Sequence, residues 1–135
     1  MRIGIGFDIH GFTDAGTLIL GGIKIPEAPA LAGHSDADCL LHALTDALLG
    51  AAGLGDIGEH FPDTDPRYRG IDSAELLKTS LREIRENNLS PVNADLNIMT
   101  EIPKMRPYKK TIRENIAALL DLPFANVNIK AKTME

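Results

Sequence analysis

Three residues of this sequence have the types and the spacing of a metal site. Asp8 and His10 stand two residues apart; Asp8 lies in, and His10 directly follows, a segment, residues 2–9, whose alternation predicts a β-strand. Side chains two apart in a strand share a face about 7 Å apart, so both can reach one ion. His42, on the polar side of a predicted helix, would complete a two-histidine, one-carboxylate set with an open position, as in catalytic zinc sites. Ordinary polar strand ends and a locally hydrogen-bonded histidine are the alternative.

Two carboxylates and a serine surround His42 in the sequence. Asp38 and Asp46 lie four residues before and after it, where either could accept the second imidazole N–H and fix its tautomer. Solvated carboxylates on a helix face have the same spacing. His34 and Ser35 precede the helix, where free backbone N–H groups and the helix dipole favour a phosphate. Ser35 would serve equally well as a plain N-cap.

The acidic segment GDIGEHFPDTDP, residues 55–66, is a second candidate for ligand binding. It is long for a connector, and loops of this kind often bind ligands. Its carboxylates could hold sugar hydroxyls, although a solvated acidic loop has the same composition.

The helices and strands that must position these residues are predicted to form a two-layer α/β (α+β) sandwich, with helices on one face of a mixed sheet. An amino-terminal hairpin turns at Gly21 and Gly22, since glycines accept the positive φ of a tight turn. Asp72 and Glu75 form a capping box for the second helix. Residues 1–135 are expected to form one domain. The predicted strands are 2–9, 18–20, 23–25, 92–99 and 127–131. The first predicted helix starts from residue 35 onward at a capping Ser or Asp, and the other two begin near residues 72 and 108.

Composition excludes several classes of partner. The net charge is -5 and the basic residues are scattered, so a nucleic-acid partner is not expected. The single cysteine, Cys39, excludes an internal disulfide. No apolar run is long enough to cross a bilayer, and we expect no membrane association. The expected location is the cytoplasm, or a plastid if a transit peptide has been removed.

Four segments of the sequence, taken together and in the order in which they occur, resemble one protein family. They are GFDIHGF (6–12), GHSDADCLLHALTDALLGAAGLGDIGEHFPDTD (33–65), EIPKM (101–105) and NIKAKTME (128–135). Together they closely resemble the 2-C-methyl-D-erythritol 2,4-cyclodiphosphate synthases. The resemblance implies conversion of 4-diphosphocytidyl-2-C-methyl-D-erythritol 2-phosphate to the cyclic diphosphate, with release of CMP, in the methylerythritol phosphate route to isoprenoids. Such an enzyme is a phosphorus–oxygen lyase.

The resemblance also implies roles for individual residues. Asp8, His10 and His42 would bind zinc, and Glu135 would bind a second divalent ion, magnesium or manganese. His34 and Thr133 would stabilise the transition state. The positions that match the family's substrate contacts are Asp8, Ile9, His10, His34, Ser35, Asp56, Ile57, Gly58, Phe61, Pro62, Asp63, Thr64, Asp65, Thr100, Glu101, Ile102, Pro103, Lys104, Met105, Arg106, Lys132, Thr133, Met134 and Glu135.

The resemblance implies a homotrimer with each active site between subunits, in which an isoprenoid diphosphate could occupy the axial cavity. The present sequence departs from the family pattern at Ile5, Gly11, Arg106, Lys132 and Met134. We expect these changes to alter nucleotide affinity rather than remove the chemistry. The family also carries a glycine- and arginine-rich loop and a closing strand beyond the position of Glu135, so residues 1–135 are expected to be a single cyclodiphosphate synthase domain without this carboxy-terminal segment.

Two other functions share part of this pattern. Two histidines and a carboxylate also describe a non-haem iron oxygenase, for which a double-sheet β architecture would be expected. A cytidine-nucleotide or isoprenoid-diphosphate binding module could use a metal only for structure. Turnover separates the binding module from the enzyme, because function resides in the site rather than in the fold.

Overall fold

The computed structural model describes residues 1–26 and 28–135, with elements in the predicted order apart from the amino terminus. The helices are α1 (Cys39–Ala52), α2 (Ile57–His60), α3 (Ser73–Glu86) and α4 (Lys109–Leu120), with 3₁₀ turns at Pro66–Tyr68 and Phe124–Asn126. The strands are β1 (Phe12–Thr13), β2 (Leu18–Leu20), β3 (Ile23–Ile25), β4 (Ala30–Leu31), β5 (Ala94–Met99) and β6 (Val127–Lys132).

The strands form three two-stranded sheets, so the prediction of one mixed sheet is wrong for the part of the chain described. β1 pairs with β4 and β2 with β3, both antiparallel, while β5 and β6 are parallel with Ala94 opposite Val127. The predicted strand at residues 2–9 joins none of these ladders. Its extended backbone lies against helix α1 instead. The correct general description is a small α+β fold.

The predicted hairpin is confirmed, and a buried carboxylate holds its turn. Gly21 and Gly22 have φ values of 60° and 75°, the positive values that a two-residue turn requires. Their N–H groups donate to the Asp38 carboxylate at 2.9 and 2.6 Å. Asp38 also accepts from the N–H of Leu41 at 3.0 Å, and so caps α1. Helix α1 therefore begins at Cys39, and of the two expected cap types, serine or aspartate, the aspartate Asp38 is the one found.

The helices cover one face of the parallel pair, as predicted. Alternate residues of β5 and β6 are buried while their neighbours are exposed, which gives the pair one apolar face. Leu41 from α1, Leu77 from α3, and Ile112 and Ile116 from α4 are all inaccessible to solvent in the same core. Burial of each such side chain contributes roughly 1.5–3 kcal/mol, so this cluster fixes α1 relative to α3.

Two glycines let the amino-terminal segment lie directly on the backbone of α1. A Cβ at Gly4 would fall 1.7 Å from the carbonyl oxygen of Ala47, and one at Gly6 would fall 1.8 Å from that of Ala43. Two residues of extended chain advance about 6.7 Å, and four residues of helix advance about 6 Å. Every second residue of the segment therefore meets every fourth residue of the helix. The next position of the segment that faces α1 is Asp8, which lies near the first turn of the helix.

The outward positions of the same segment form an exposed apolar stripe. Ile3, Ile5, Phe7 and Ile9 are between 74% and 89% accessible in the single chain. Contiguous apolar surface of this kind is unusual in a protein that acts alone. Among the described helices, none combines the length and apolar character needed to cross a bilayer.

Candidate active site

The structure brings Asp8, His10 and His42 together; we refer to them as the metal cluster. Asp8 Oδ2 lies 2.8 Å from His10 Nε2 and 3.0 Å from His42 Nδ1, and the two ring nitrogens are 3.4 Å apart. Ligand atoms around a tetrahedral zinc ion are separated by about 3.3 Å when each lies about 2.0–2.1 Å from the metal. The three donor atoms therefore lie close enough together to bind one metal ion.

The orientation of His10 is fixed from its far side. Its Nδ1 lies at hydrogen-bond distance from the carbonyl oxygen of Ala32, which can only accept, so Nδ1 carries the proton. Gly33 makes room for the ring, since a Cβ there would lie 3.0 Å from His10 Cε1. The unprotonated Nε2 therefore faces the metal cluster, in the form that a metal ligand requires.

Asp8 is held as a carboxylate. Burial by itself would raise the pKa of Asp8, but the hydrogen bond with His42, electrostatic attraction to both histidines and the N–H of Ile9 keep it below the usual value. Cys39 donates its S–H to the carbonyl oxygen of Asp8 at 3.0 Å. Burial, followed by the nearby Asp8 charge, raises the pKa of the Cys39 thiol to about 12. Cys39 is thus a neutral thiol that donates a hydrogen bond to the backbone of Asp8, rather than a thiolate ligand.

The residues that contact the far side of His42 differ from those predicted. His42 Nε2 lies 3.0 Å from Ser35 Oγ and 2.9 Å from Ser73 Oγ. Asp38 is occupied by the hairpin turn, and Asp46 accepts from the N–H of Ile57 at 2.8 Å. The hypothesis that one of these carboxylates orients His42 is therefore wrong. Residues at i±4 on a helix are neighbours, but both aspartates bond to backbone groups of other segments.

A polar network connects the two serines to α3. Asp36 accepts the hydroxyl of Ser73 on one carboxylate oxygen and the N–H of Ser73, at 3.2 Å, on the other. The N–H of Asp36 donates to the carbonyl of Ile71 at 3.0 Å, and Gly70 donates to that of His34 at 2.8 Å. Residues 34–36 thus run beside the amino terminus of α3. Sequence reasoning missed Asp36 and Ser73, because nothing in their spacing shows that two distant segments meet.

The position of Ser35 corrects a second expectation. Its Oγ accepts from the N–H of Ala37 at 3.2 Å and sits beside Ser73, at the start of α3. The first turn of α1 is capped by Asp38, so the arrangement predicted for a phosphate at the α1 terminus is not the one found. The side chain of His34 is exposed next to this region.

The acidic loop, residues 55–66, is built on short capped turns. Asp56 caps α2 by accepting from Glu59 at 2.9 Å, which places Ile57 and Gly58 in that helix. Asp65 caps the following 3₁₀ turn, and its carboxylate also pairs with Arg67. The hydrogen bond that the Arg67 side chain donates to this carboxylate lowers the pKa of Asp65. The other loop residues predicted to bind substrate lie between these two caps: Phe61, Pro62, Asp63 and Thr64.

The predicted cytidine segments, residues 100–106 and 132–135, meet at the carboxyl ends of β5 and β6. Thr100 donates its N–H to the carbonyl of Lys132 at 2.9 Å, and Glu101 accepts from the N–H of Met134 at 2.6 Å. Thr133 donates its hydroxyl to Glu135 at 3.0 Å. The side chain of Met105 is buried in the core, so at that position only the backbone can face a ligand. Crevices at the carboxyl ends of parallel strands are common ligand sites.

The fold and the metal cluster define a small α+β protein with a candidate metal site of two histidines and one carboxylate. The profile of the YgbB family matches residues 1–135. The chain therefore belongs to the YgbB family.

Relatives and solved structures support this assignment. The 2-C-methyl-D-erythritol 2,4-cyclodiphosphate synthase of Clostridium perfringens is 53% identical over 135 residues, which is all of this chain and 86% of that protein. A solved 2C-methyl-D-erythritol-2,4-cyclodiphosphate synthase in a CDP-bound form has a TM-score of 0.92 and 40% identity, covering 98% of this chain and 89% of that one. The bifunctional IspDF of Campylobacter jejuni has a TM-score of 0.93 and 45% identity over 99% of this chain. The present chain spans 36% of that bifunctional protein.

Proposed function

We propose that the chain is the enzyme that forms 2-C-methyl-D-erythritol 2,4-cyclodiphosphate from 4-diphosphocytidyl-2-C-methyl-D-erythritol 2-phosphate. In this reaction an oxygen of the 2-phosphate forms a new bond to the β-phosphorus. The bond from that phosphorus to the oxygen of the cytidine-bearing phosphate breaks, and CMP leaves. No enzyme nucleophile is needed, so catalysis depends on positioning and on neutralising phosphate oxygens.

The observation that carries the proposal is the convergence of Asp8, His10 and His42 on one point. An ionised carboxylate and an imidazole nitrogen whose far side is fixed by Ala32 form a donor set that suits zinc. A zinc ion held there would polarise a diphosphate oxygen at its open position.

Other residues would position the substrate. Ser35 lies beside the metal cluster and can offer a hydroxyl to a phosphate. His34 is exposed next to it and, with Thr133, would stabilise charge on the transferring phosphoryl group. The acidic loop would hold the methylerythritol hydroxyls, and the segments at residues 100–106 and 132–135 would hold cytidine. Glu135 would bind the second divalent ion, magnesium or manganese.

We further propose that the chain acts as a homotrimer in the cytoplasm, as one domain. Two features support an assembly. The apolar stripe of Ile3, Ile5, Phe7 and Ile9 needs cover, and a subunit interface would provide it. In addition, hydrogen bonds and ion pairs among the described residues leave the metal cluster and the cytidine segments in separate networks. A site assembled from two subunits would unite them, and the assembly's axial cavity could take an isoprenoid diphosphate.

The test is turnover together with metal content. The purified chain is incubated with the diphosphocytidyl substrate and magnesium, and CMP and the cyclic diphosphate are followed by phosphorus NMR. We expect product that is lost with a zinc chelator and restored by zinc. His42→Ala should lose bound zinc and turnover together, because it removes one of three protein ligands.

His60→Ala is the matched control for removing a histidine. The His60 ring bonds to the carbonyl of Leu54 and to Glu83, outside the metal cluster, so zinc content should be unchanged. Zinc binding without CMP release from the unmodified chain would favour a binding module. A His42→Ala variant that keeps both zinc and turnover would remove His42 from the proposed site.

A further inference from the structure

Helix α2 (Ile57–His60) lies at the start of the acidic loop, yet none of its side chains is buried in the core. It is a single turn of four residues. A helix this short is not stable by itself in water, so its position depends on contacts with the rest of the fold. At its first residue the N–H of Ile57 donates to Asp46 of α1 at 2.8 Å. At its last residue the contacts come from the side chain of His60.

His60 connects α2 to two other parts of the chain. Its Nε2 lies 2.7 Å from the carbonyl oxygen of Leu54, just beyond the end of α1, and its Nδ1 lies 3.2 Å from the Glu83 carboxylate on α3. A carbonyl and an ionised carboxylate can only accept, so a doubly protonated ring donates to both and a neutral ring donates to one. The His60 side chain is 19% exposed, so little water competes for these contacts.

Ring contacts extend this attachment into the middle of the acidic loop. The His60 ring lies 6.0 Å from the ring of Phe61, between centroids, and Phe61 packs against the edge of Tyr68 at 5.3 Å. Tyr68 belongs to the 3₁₀ turn that Asp65 caps. The three rings therefore join the two short helices that flank residues 62–64.

We propose that His60 and Glu83 are positioning residues that hold the acidic loop in the arrangement that binds the methylerythritol part of the substrate. The inference rests on the proposed function, which assigns the sugar hydroxyls to this loop. Glu83 lies on α3, outside the loop, and acts through His60. The bonds of both side chains are separate from those of the metal cluster.

This role predicts a specific kinetic signature. A loop that is already ordered loses less conformational entropy when it binds a ligand. Weakening its attachment should therefore raise KM for the diphosphocytidyl substrate and leave kcat within about twofold. CMP contains no methylerythritol, so its inhibition constant should stay the same.

Four variants test the attachment: His60→Ala, Glu83→Ala, Glu83→Gln and the double variant with alanine at both positions. Glu83→Gln keeps an acceptor for the imidazole N–H and is the conservative replacement. Glu75→Ala is the matched control, because it removes an exposed glutamate of the same helix that pairs with Lys78 rather than with the loop.

We expect Glu83→Ala to raise KM roughly 2- to 10-fold, the range that one lost hydrogen bond gives. His60→Ala loses both contacts and should raise KM further, roughly 5- to 50-fold. Glu83→Gln and Glu75→Ala should stay within about twofold of the unmodified chain. The double variant should resemble His60→Ala, because Glu83 has no effect once His60 is absent.

A second readout needs no substrate. The N–H groups of Glu59 and Phe61 bond within the turn of α2, to Asp56 and Ile57. Hydrogen–deuterium exchange, followed by mass spectrometry of peptides that cover residues 55–62, reports the opening of this turn. Exchange should be roughly 2- to 10-fold faster in Glu83→Ala than in Glu75→Ala.

Equal KM values for Glu83→Ala and Glu75→Ala would overturn the proposal. An equal weakening of CMP inhibition would do the same, since it would indicate a general loss of structure. Faster loop exchange with an unchanged KM would overturn the role in substrate binding. If the unmodified chain forms no cyclic diphosphate, the exchange readout decides: faster exchange in Glu83→Ala keeps the attachment while the proposed activity fails, and equal exchange removes the attachment as well.

Discussion

Gly6→Ala should disable the metal cluster without touching any of its members. The added Cβ would lie 1.8 Å from the carbonyl oxygen of Ala43, whereas real Cβ contacts essentially never lie under 3.0 Å. Residue 6 must therefore move away from α1 by at least about 1.2 Å, and Asp8 follows two residues later. Zinc ligand distances tolerate about 0.2 Å of error, so a displacement several times larger removes Asp8 from the site.

We expect two effects of different size. Crowding should lower the free energy of unfolding by roughly 1–3 kcal/mol, the usual cost of overpacking. Zinc affinity should fall by roughly 100-fold or more, because one of three ligands is misplaced. Chelator competition measures the affinity, and urea unfolding of the metal-free protein measures the stability. CMP release should fall with zinc occupancy.

Gly11→Ala is the matched control, since it adds the same methyl group to the same segment. A Cβ at Gly11 would have no neighbour within 4 Å. That variant should keep the stability and the zinc affinity of the unmodified chain. Equal zinc affinities for Gly6→Ala and the unmodified chain, or equal losses for both glycine variants, would refute the idea that close approach to α1 positions Asp8.

Two further perturbations test the polar groups around α1. Burial, opposed by the N–H groups of Gly22, Leu41 and Gly21, raises the pKa of Asp38 to about 6 from 3.8. Between pH 3.8 and about 6, Asp38 therefore keeps its proton in the folded state but loses it in the unfolded state. The stabilisation from this protonation is fully present below pH 3.8 and is lost as the pH rises through about 6. Urea unfolding of metal-free protein should show the stability of the unmodified chain falling relative to Asp38→Asn across this range; a constant difference would contradict the assignment. Asp46→Ala should leave zinc affinity unchanged but raise KM roughly 2- to 10-fold. The Asp46 carboxylate accepts from the N–H of Ile57 in the acidic loop, which would bind the substrate, and the loop would lose a hydrogen bond worth about 0.5–1.5 kcal/mol. A loss of zinc affinity in that variant would instead support the hypothesis that Asp46 orients His42.

Local sequence signals were sufficient where neighbouring residues determine the backbone. The paired glycines at positions 21 and 22 predicted the hairpin, because their positive φ values depend on the absence of a side chain. The pair Asp72 and Glu75 predicted where the second helix begins, and Asp72 does cap α3 by accepting from the N–H of Ala74 at 2.8 Å. The strand at residues 2–9 was predicted wrongly. Alternation indicates an extended chain with two different faces, but not what lies beside its hydrogen-bonding edges.

The sequence by itself determined which residues can bind a metal and, through motifs spread along the chain, the family. Only the tertiary structure decided which groups surround them. Asp38 and Asp46 had the right spacing to orient His42, yet both bond to distant backbone groups, while Ser73 reaches His42 across 31 residues. Helical spacing reports neighbours on one helix. The contact between His42 and Ser73 instead follows from the packing of α1 on α3, which depends on the whole hydrophobic core and has no local sequence signal.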